Sequence, residues 1–503
     1  MSNTVTVRYG GREIPAGIGQ TLSEITKGEK PCGGHGKCGK CKVIARGALS
    51  ALSDAERKHL TPEEQEGGVR LACLARVEGD CTVEPLHERE TSQIVTDGTL
   101  PAFLLDPTFS HYGVAIDVGT TTLAARLYDV CGKLLAQTSG LNPQSEWGAD
   151  VISRIEASLA GKGDLLAEAI RGALDRMTVE LANEAGIIPT EIDGVCITGN
   201  TVMLSLLTGE SCEPFSRAPF AARRLFGETV TAGELSLSAL SPETPVYLPA
   251  CISAFVGADT TCAILATELC GGGTAMLADI GTNGEMALYC DGRLAVCSTA
   301  AGPAFEGVGI SMGMRGAVGA IDKVTVENGV ISAHVIGDGA PVGICGSGLV
   351  DAVACMLQGE ILDESGFLED DPFTVREPVT LTQKDVRMLQ LAKSAICAGL
   401  CTLLDSEGLR ADQIPRFLVA GGFGSYLNRT SAARIGLLPT ALAENLEAVG
   451  NAALAGASML LLGAAFREKT EQMSKEATVL DLSTSSVFSD RYMSGMILEE
   501  CEV

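Results

Sequence analysis

The sequence predicts an α/β chain in two parts: a small α+β domain at the N-terminus, then a large α/β domain made of two related halves. Three observations predict this. Three cysteines crowd into one glycine-rich loop near the N-terminus, with a fourth downstream. An Asp-x-Gly-Thr turn between apolar strands occurs twice, at Asp117 and at Asp279. Charge is split unevenly, with 13 Lys+Arg against 14 Asp+Glu in residues 1–100 and 24 against 49 in the remainder. Such asymmetry implies modules with different partners.

At 503 residues the chain exceeds one ordinary domain, so two or three are expected. Hydrophobic residues make up 46%, enough for full cores, but aromatics are only 4%, with the single Trp147, and glycines number 59. Small residues must therefore do much of the packing. The longest apolar run considered as a membrane span, Ala452 to Phe466, is broken by glycine and shorter than the roughly 18–20 residues a bilayer requires, so it reads as a buried helix. The opening MSNTVTVRYG has no apolar core of a signal peptide, so a cytoplasmic protein is expected. The net charge of −26 argues against nucleic acid as the main partner, which would need a basic face.

In the first module, residues 3–9 alternate like a strand, and Glu13 to Thr26 can hold a turn and a short helix. Cys32, Cys38 and Cys41 then follow at C-x5-C-x2-C, and Cys73 lies further on in RLACLARV. Four thiolates can converge on two irons, while Gly33, Gly34, Gly36 and Gly39 let backbone N–H groups turn toward the bridging sulfides. The set fits a [2Fe–2S] cluster. The first gap is one residue longer than in plant-type ferredoxins, so the loop looks more like the vertebrate-type and bacterial hydroxylase ferredoxins. The rival is structural zinc, which favours two C-x2-C pairs where this chain has one. Cys81 sits in a strand-like run and reads as core, and His35, without a second histidine at matching spacing, reads as exposed. Lys27, Lys30, Lys37, Lys40 and Lys42 surround the loop, either balancing the cluster's charge or forming a docking face for an acidic redox partner. The remaining cysteines lie mostly singly in apolar runs, as Cys262, Cys355 and Cys397 do, and read as small core residues.

Residues 88–111, with Pro101 and Pro107 and no periodicity, read as a linker between domain 1–87 and the large domain. In that domain, Gly113 to Val118 is an apolar strand ending at Asp117, then Gly119-Thr120-Thr121, then a second strand; Ala275 to Asn283 repeats the pattern with Asp279, Gly281, Thr282 and Asn283. A Gly-Thr turn offers N–H groups and hydroxyls to phosphate oxygens. An aspartate at the strand end can hold Mg²⁺ through water. Two such turns from two lobes, 112–274 and 275–503, would clamp the phosphates of one nucleotide. No GxxxxGK[ST] loop occurs.

The paired turns resemble the two phosphate motifs of the actin, sugar-kinase and heat-shock-chaperone ATPase superfamily (ASKHA). Val195 to Thr201, containing Gly199 and Asn200, resembles its first connecting motif. Phe417 to Ser425, with Gly421, Gly422 and Gly424, resembles its adenosine motif, and Val449 to Ala457 its second connecting helix, which would return to the interlobe hinge. The fused ferredoxin makes the whole chain similar to the reductive activators of corrinoid proteins, supported by Asn142-Pro143-Gln144 through Arg154 and by Ala301 to Gly307. Any extra domain between the linker and Gly113 would have little room.

That resemblance implies a β-grasp ferredoxin domain and an ASKHA ATPase that use a [2Fe–2S] cluster, ATP and Mg²⁺. It implies ATP-driven electron transfer to Co(II) of a corrinoid protein, restoring Co(I) for methyl transfer. Cys32, Cys38, Cys41 and Cys73 would hold the cluster. Asp117 and Asp279 would organise Mg²⁺ and the attacking water, with Glu306 beside them. Gly119, Thr120, Thr121, Gly199, Asn200, Gly281, Thr282 and Asn283 would bind phosphates, and Gly421, Gly422 and Gly424 would admit the adenosine. The implied partners are a corrinoid protein, a ferredoxin or flavoprotein donor, and a second copy of the chain through the ATPase domain.

Plainer readings stand beside these. Asp150 can be a surface acid after a glycine turn or a polar group of the site. Glu306 can line the cleft or cap a turn, and Ile344 to Asp351 can bind phosphate at a helix start or only pack. The rival functions are transfer of an electron to another redox protein, a small-molecule kinase with a regulatory cluster, and an electron carrier whose ATPase only gates docking. The activators of 2-hydroxyacyl-CoA dehydratases share the ATPase type but lack a fused four-cysteine domain.

Overall fold

A computed structural model describes residues 4–9, 12–26, 34–36, 39, 41–85, 98, 100–327 and 330–503. The chain divides into two compact units: Met1–Thr91 with Pro143–Ala157, and Ser92–Asn142 with Ser158–Val503.

The first unit carries a five-stranded mixed sheet of β1 (Thr4–Tyr9), β2 (Arg12–Gly17), β3 (Lys42–Leu49), β4 (Val69–Leu71) and β5 (Val77–Pro85) in the order β2-β1-β5-β3-β4. β1 and β5 run parallel at its centre, and the other pairs are antiparallel. This is the α+β, β-grasp arrangement expected. Val7, Leu22, Leu71, Ala75, Val77 and Val83 are wholly buried, and Cys81 joins this core as a small apolar residue. One buried ion pair ties the loops to the sheet. Arg70 donates to both carboxylate oxygens of Glu56 at 2.9 and 3.1 Å, and the Leu71 amide adds a bond of 3.2 Å. Burial alone would raise the Glu56 carboxyl, but the Arg70 hydrogen bond and charge hold it below its usual value.

Segment Pro143–Ala157 carries helix Val151–Ala157. Asp150 Oδ1 accepts from the Ser153 amide at 2.7 Å, so Asp150 caps that helix.

The second unit is duplicated. Its first sheet comprises β6 (Tyr112–Val118), β7 (Thr122–Asp129), β8 (Leu134–Leu141), β9 (Ile192–Gly199), β10 (Glu228–Thr231) and β11 (Pro245–Leu248) in the order β10-β11-β9-β6-β7-β8. The second half starts with β12 (Ala275–Ile280), β13 (Gly284–Cys290) and β14 (Arg293–Thr299). The small strands β15 (Ala320–Glu327), β16 (Val330–Val335) and β17 (Gly343–Ile344) form a side sheet, and β18 (Phe373–Arg376) and β19 (Val379–Leu381) a hairpin. β20 (Phe417–Ala420), β21 (Leu446–Gly450) and β22 (Thr478–Val479) complete the second large sheet, ordered β21-β20-β12-β13-β14-β22. Both large sheets share one plan: an antiparallel meander (β6-β7-β8; β12-β13-β14) whose first strand pairs in parallel with a later one (β9; β20). A third parallel strand follows in each (β11; β21).

Two helices lie between the halves. Helix Ala258–Ala266 packs on both sheets: Ala263 and Ile264 with Leu277, Ala287 and Val296 of the second, Cys262 and Leu265 with Ala115 and Cys196 of the first. Helix Ala452–Leu462 follows the second sheet, yet its Leu454, Ala455 and Leu460 pack with Ala115, Ala124 and Cys196 of the first. The two helices cross where a Cβ on Gly456 would lie 2.0 Å from the Cys262 carbonyl oxygen, so only glycine fits. Among the described residues one helix, Gln383–Ser406, is long and apolar enough to cross a membrane by length and composition. With 83% of its most apolar stretch buried inside the fold, it is a core helix.

Candidate functional site

A cleft of about 490 Å³ opens within the second unit, between the two duplicated sheets. The strand–turn–strand hairpins build its floor. Asp117 is the penultimate residue of β6, and Gly119 makes the tight turn into β7: a Cβ there would lie 2.7 Å from the Thr122 carbonyl oxygen. Asn142 Nδ2 donates to the Gly119 carbonyl at 2.8 Å and fixes the turn. Asn200 accepts from the Met203 amide at 2.9 Å, capping helix Thr201–Thr208, and donates to Thr120 Oγ1 at 3.1 Å. In the facing hairpin Asp279 ends β12, the Gly281 amide bonds the Asn283 carbonyl at 3.0 Å, and Thr282 Oγ1 donates to Glu306 Oε1 at 2.5 Å.

Of the residues singled out in sequence, Asp117, Gly119, Thr120, Thr121, Asn200, Asp279, Gly281, Thr282, Asn283, Glu306, Gly421 and Gly422 all line this one cleft. Gly199 and Gly424 do not. Gly199 pairs with Val118 inside the first sheet, and Gly424 is buried against Val419, so both are packing glycines behind the cleft wall. Glu306 lines the cleft. Ser347 lines it too, but its hydroxyl is spent on the Asp322 carbonyl at 2.9 Å.

Three polar residues of the site carry no sequence signal of their own. Asp259 opens helix Ala258–Ala266, Glu285 follows the second turn on β13, and Asn451 donates from Nδ2 to Asp117 Oδ2 at 3.0 Å. With Asp117 and Asp279, the acids Asp259 and Glu285 make a group of four carboxylates. Loss of water raises all four: Asp117 and Asp279 to about 7, Asp259 to about 6, and Glu285 well upward. Mutual repulsion adds to this. Asp259 and Asp279 act on Asp117, and Asp259 acts on Asp279 and Glu285.

This donor set fits a hard divalent cation. All-oxygen ligands suit Mg²⁺, and a cation would relieve the repulsion that loads the carboxylates with protons. The adjoining backbone is shaped for close approach: Gly421 holds φ 87°, and a Cβ on it would lie 2.8 Å from Asp279 Oδ1. Phe305 and Phe423 stack at 4.6 Å between ring centroids along the same wall.

In the first unit, Cys41 and Cys73 are buried with their Sγ atoms 3.1 Å apart. Gly34, Gly36 and Gly39 all have positive φ, and side chains on Gly36 and Gly39 would strike Leu74 and His59. His35 is exposed. Cys32, Cys38 and Lys27, Lys30, Lys37 and Lys40 lie outside the described residues; Lys42 bonds Glu64 at 2.6 Å. Two buried thiols side by side under a glycine loop fit a thiolate-held metal centre.

Comparison with known proteins adds the lineage. Residues 273–503 match the family model described as the C-terminal domain of RACo, the ASKHA domain, and residues 112–271 match the RACo middle region. The chain is 35% identical over 414 residues to the corrinoid activation enzyme RamQ of Eubacterium limosum, covering 76% of this chain and 69% of that protein. It is 26% identical to the [Co(II) methylated amine-specific corrinoid protein] reductase of Methanosarcina barkeri, over 76% of each. A solved structure of a reductive activator for corrinoid, iron-sulfur protein superposes with a TM-score of 0.71 at 27% identity, covering 99% of this chain and 98% of that one. On these matches the chain belongs to the RACo family.

Proposed function

We propose that this protein is an ATP-dependent reductive activator that passes one electron to Co(II) of a corrinoid protein and so restores Co(I) for methyl transfer. The observation that carries this reading is the single acidic cleft into which both Asp-x-Gly-Thr turns project, on a chain that also pairs two buried thiols. The names of the relatives, a corrinoid activation enzyme and a corrinoid protein reductase, support the choice of substrate.

In this reading Asp117 and Asp279 hold Mg²⁺, with Asp259 and Glu285 behind them. Thr120, Thr121, Thr282 and Asn283, with the amides at Gly119 and Gly281, grip the phosphates. Gly421 and Gly422 leave room for the nucleoside. Glu306, tied to Thr282, positions that hydroxyl. Cys32, Cys38, Cys41 and Cys73 hold a [2Fe–2S] centre, which when bound supplies the one-electron carrier. Electrons enter from a ferredoxin or flavoprotein, and the protein works in the cytoplasm, as a homodimer through the ATPase domain.

ATP is needed because reduction of Co(II) by a ferredoxin-level donor is uphill: for one electron each ~59 mV of deficit costs about 1.4 kcal/mol. Closure of the two lobes on nucleotide changes the surface offered to the corrinoid protein. Asp279→Ala tests this: the variant keeps its cluster absorbance but loses ATP-dependent Co(II) reduction. Full ATP-dependent reduction by the variant would contradict the assigned role.

A further inference from the structure

Far from the cleft in sequence, the C-terminal tail brings a third thiol to two others. Cys397 and Cys401 lie one turn apart on helix Gln383–Ser406 and are both buried. Cys501, two residues from Val503, reaches them from the tail. Cys401 Sγ is 3.9 Å from Cys397 Sγ and 3.9 Å from Cys501 Sγ, and all three sulfurs lie within 4.8 Å of one another. Sulfurs each ~2.3 Å from one zinc ion would themselves stand roughly 3.8–4.0 Å apart, by the geometry of Zn–S bonds.

The surroundings carry the matching charge. Lys393 is only 1% exposed, one turn before Cys397 on the same helix, and its Nζ donates to the Ile497 carbonyl. Burial pulls its ammonium down to about 8, partly offset by the neighbouring Cys397, Cys501 and Glu499. Arg491 closes the other side, paired with Asp405 at 2.7 Å. A fully buried ammonium beside three thiols calls for negative charge there.

We propose that Cys397, Cys401 and Cys501 bind one Zn²⁺, pinning the C-terminal tail to the core helix. Three thiolates select a thiophilic ion such as Zn²⁺. The tail is also held without metal: Leu498 is wholly buried in the core, Lys393 bonds the Ile497 carbonyl, and the Thr440 and Ala411 amides donate to the Cys501 and Val503 carbonyls at 3.1 and 3.0 Å. Zinc thus adds to an existing seat and does not create it. The site is independent of the cluster loop and of the nucleotide cleft.

The test uses the full-length, iron-loaded protein, purified reduced and anaerobically, then equilibrated with Zn²⁺ and desalted. Elemental analysis should find about one zinc per chain, and zinc X-ray absorption should show sulfur neighbours at ~2.3 Å. Cys501→Ser changes only the tail and should drop retained zinc at least about tenfold with iron content unchanged. Cys401→Ala, if it folds, should do the same. Zinc retained equally by Cys501→Ser, zinc with only nitrogen or oxygen neighbours, or three alkylatable thiols and no retained zinc in the wild type would each overturn the site.

Discussion

Glu56 shows how much a single side chain can carry in the first unit. It sits in a capping box with Ser53 and holds Arg70 and the Leu71 amide, two residues before Cys73. Removing one partner of a buried pair leaves the other charge stranded, so Glu56→Ala should destabilise this unit by about 3–5 kcal/mol. Chemical unfolding followed by loss of cluster absorbance checks the value. The same residue sets an acid limit. Its carboxyl is held below its ordinary value of 4.5, so its stabilisation is present above that pH and is lost as pH falls through the lower folded-state value. Glu56→Gln should flatten that acid limb in the melting profile.

Gly421 makes the matching point in the cleft. Its left-handed backbone costs any other residue roughly 1–2 kcal/mol, and a methyl there would press on Asp279 Oδ1. Gly421→Ala should weaken ATP–Mg²⁺ binding by more than about tenfold, or 1.4 kcal/mol, read by calorimetry. An unchanged affinity would place the nucleotide elsewhere.

Between elements, the decisive feature is the crossing of helices Ala258–Ala266 and Ala452–Leu462 between the two sheets, with backbone against backbone at Gly456. A side chain there must displace the Cys262 carbonyl, and overpacking of this kind costs typically about 1–3 kcal/mol. Gly456→Val should lower the melting temperature of the second unit and blunt nucleotide-induced protection in hydrogen exchange around both helices. Protection identical to wild type would mean the lobes do not pivot here.

This arrangement also explains what could be read from sequence. Each Asp-x-Gly-Thr hairpin is a local object, strand, turn and strand in one stretch, so Asp117, Thr120, Asp279 and Thr282 announce themselves. Asp259 heads an apolar helix with no motif, and reaches the other acids because that helix lies between the two sheets. Glu285 sits in the second hairpin without a turn to mark it. Gly199 and Gly424 show the converse: they belong to conspicuous glycine segments, but their lack of a side chain serves close packing behind the cleft. Cys397 and Cys401 read as core thiols because Cys501, which completes the group, lies a hundred residues away in the chain.

For the whole molecule, the account joins a thiol-bearing first unit to a nucleotide cleft in the second and makes one depend on the other. In the proposed function the four carboxylates hold a cation, the cation brings a nucleotide, and lobe closure is the step that an uphill reduction draws upon. The uneven charge belongs to the same scale: residues beyond 100 carry 49 Asp+Glu against 24 Lys+Arg, while residues 1–100 are nearly neutral. The central claim is that electron delivery to cobalt requires nucleotide. The most direct measurement mixes the reduced protein with a Co(II) corrinoid protein under anaerobic conditions and follows the Co(I) absorbance with and without ATP–Mg²⁺. The account predicts Co(I) only when ATP–Mg²⁺ is present; Co(I) forming equally fast without it would contradict the coupling.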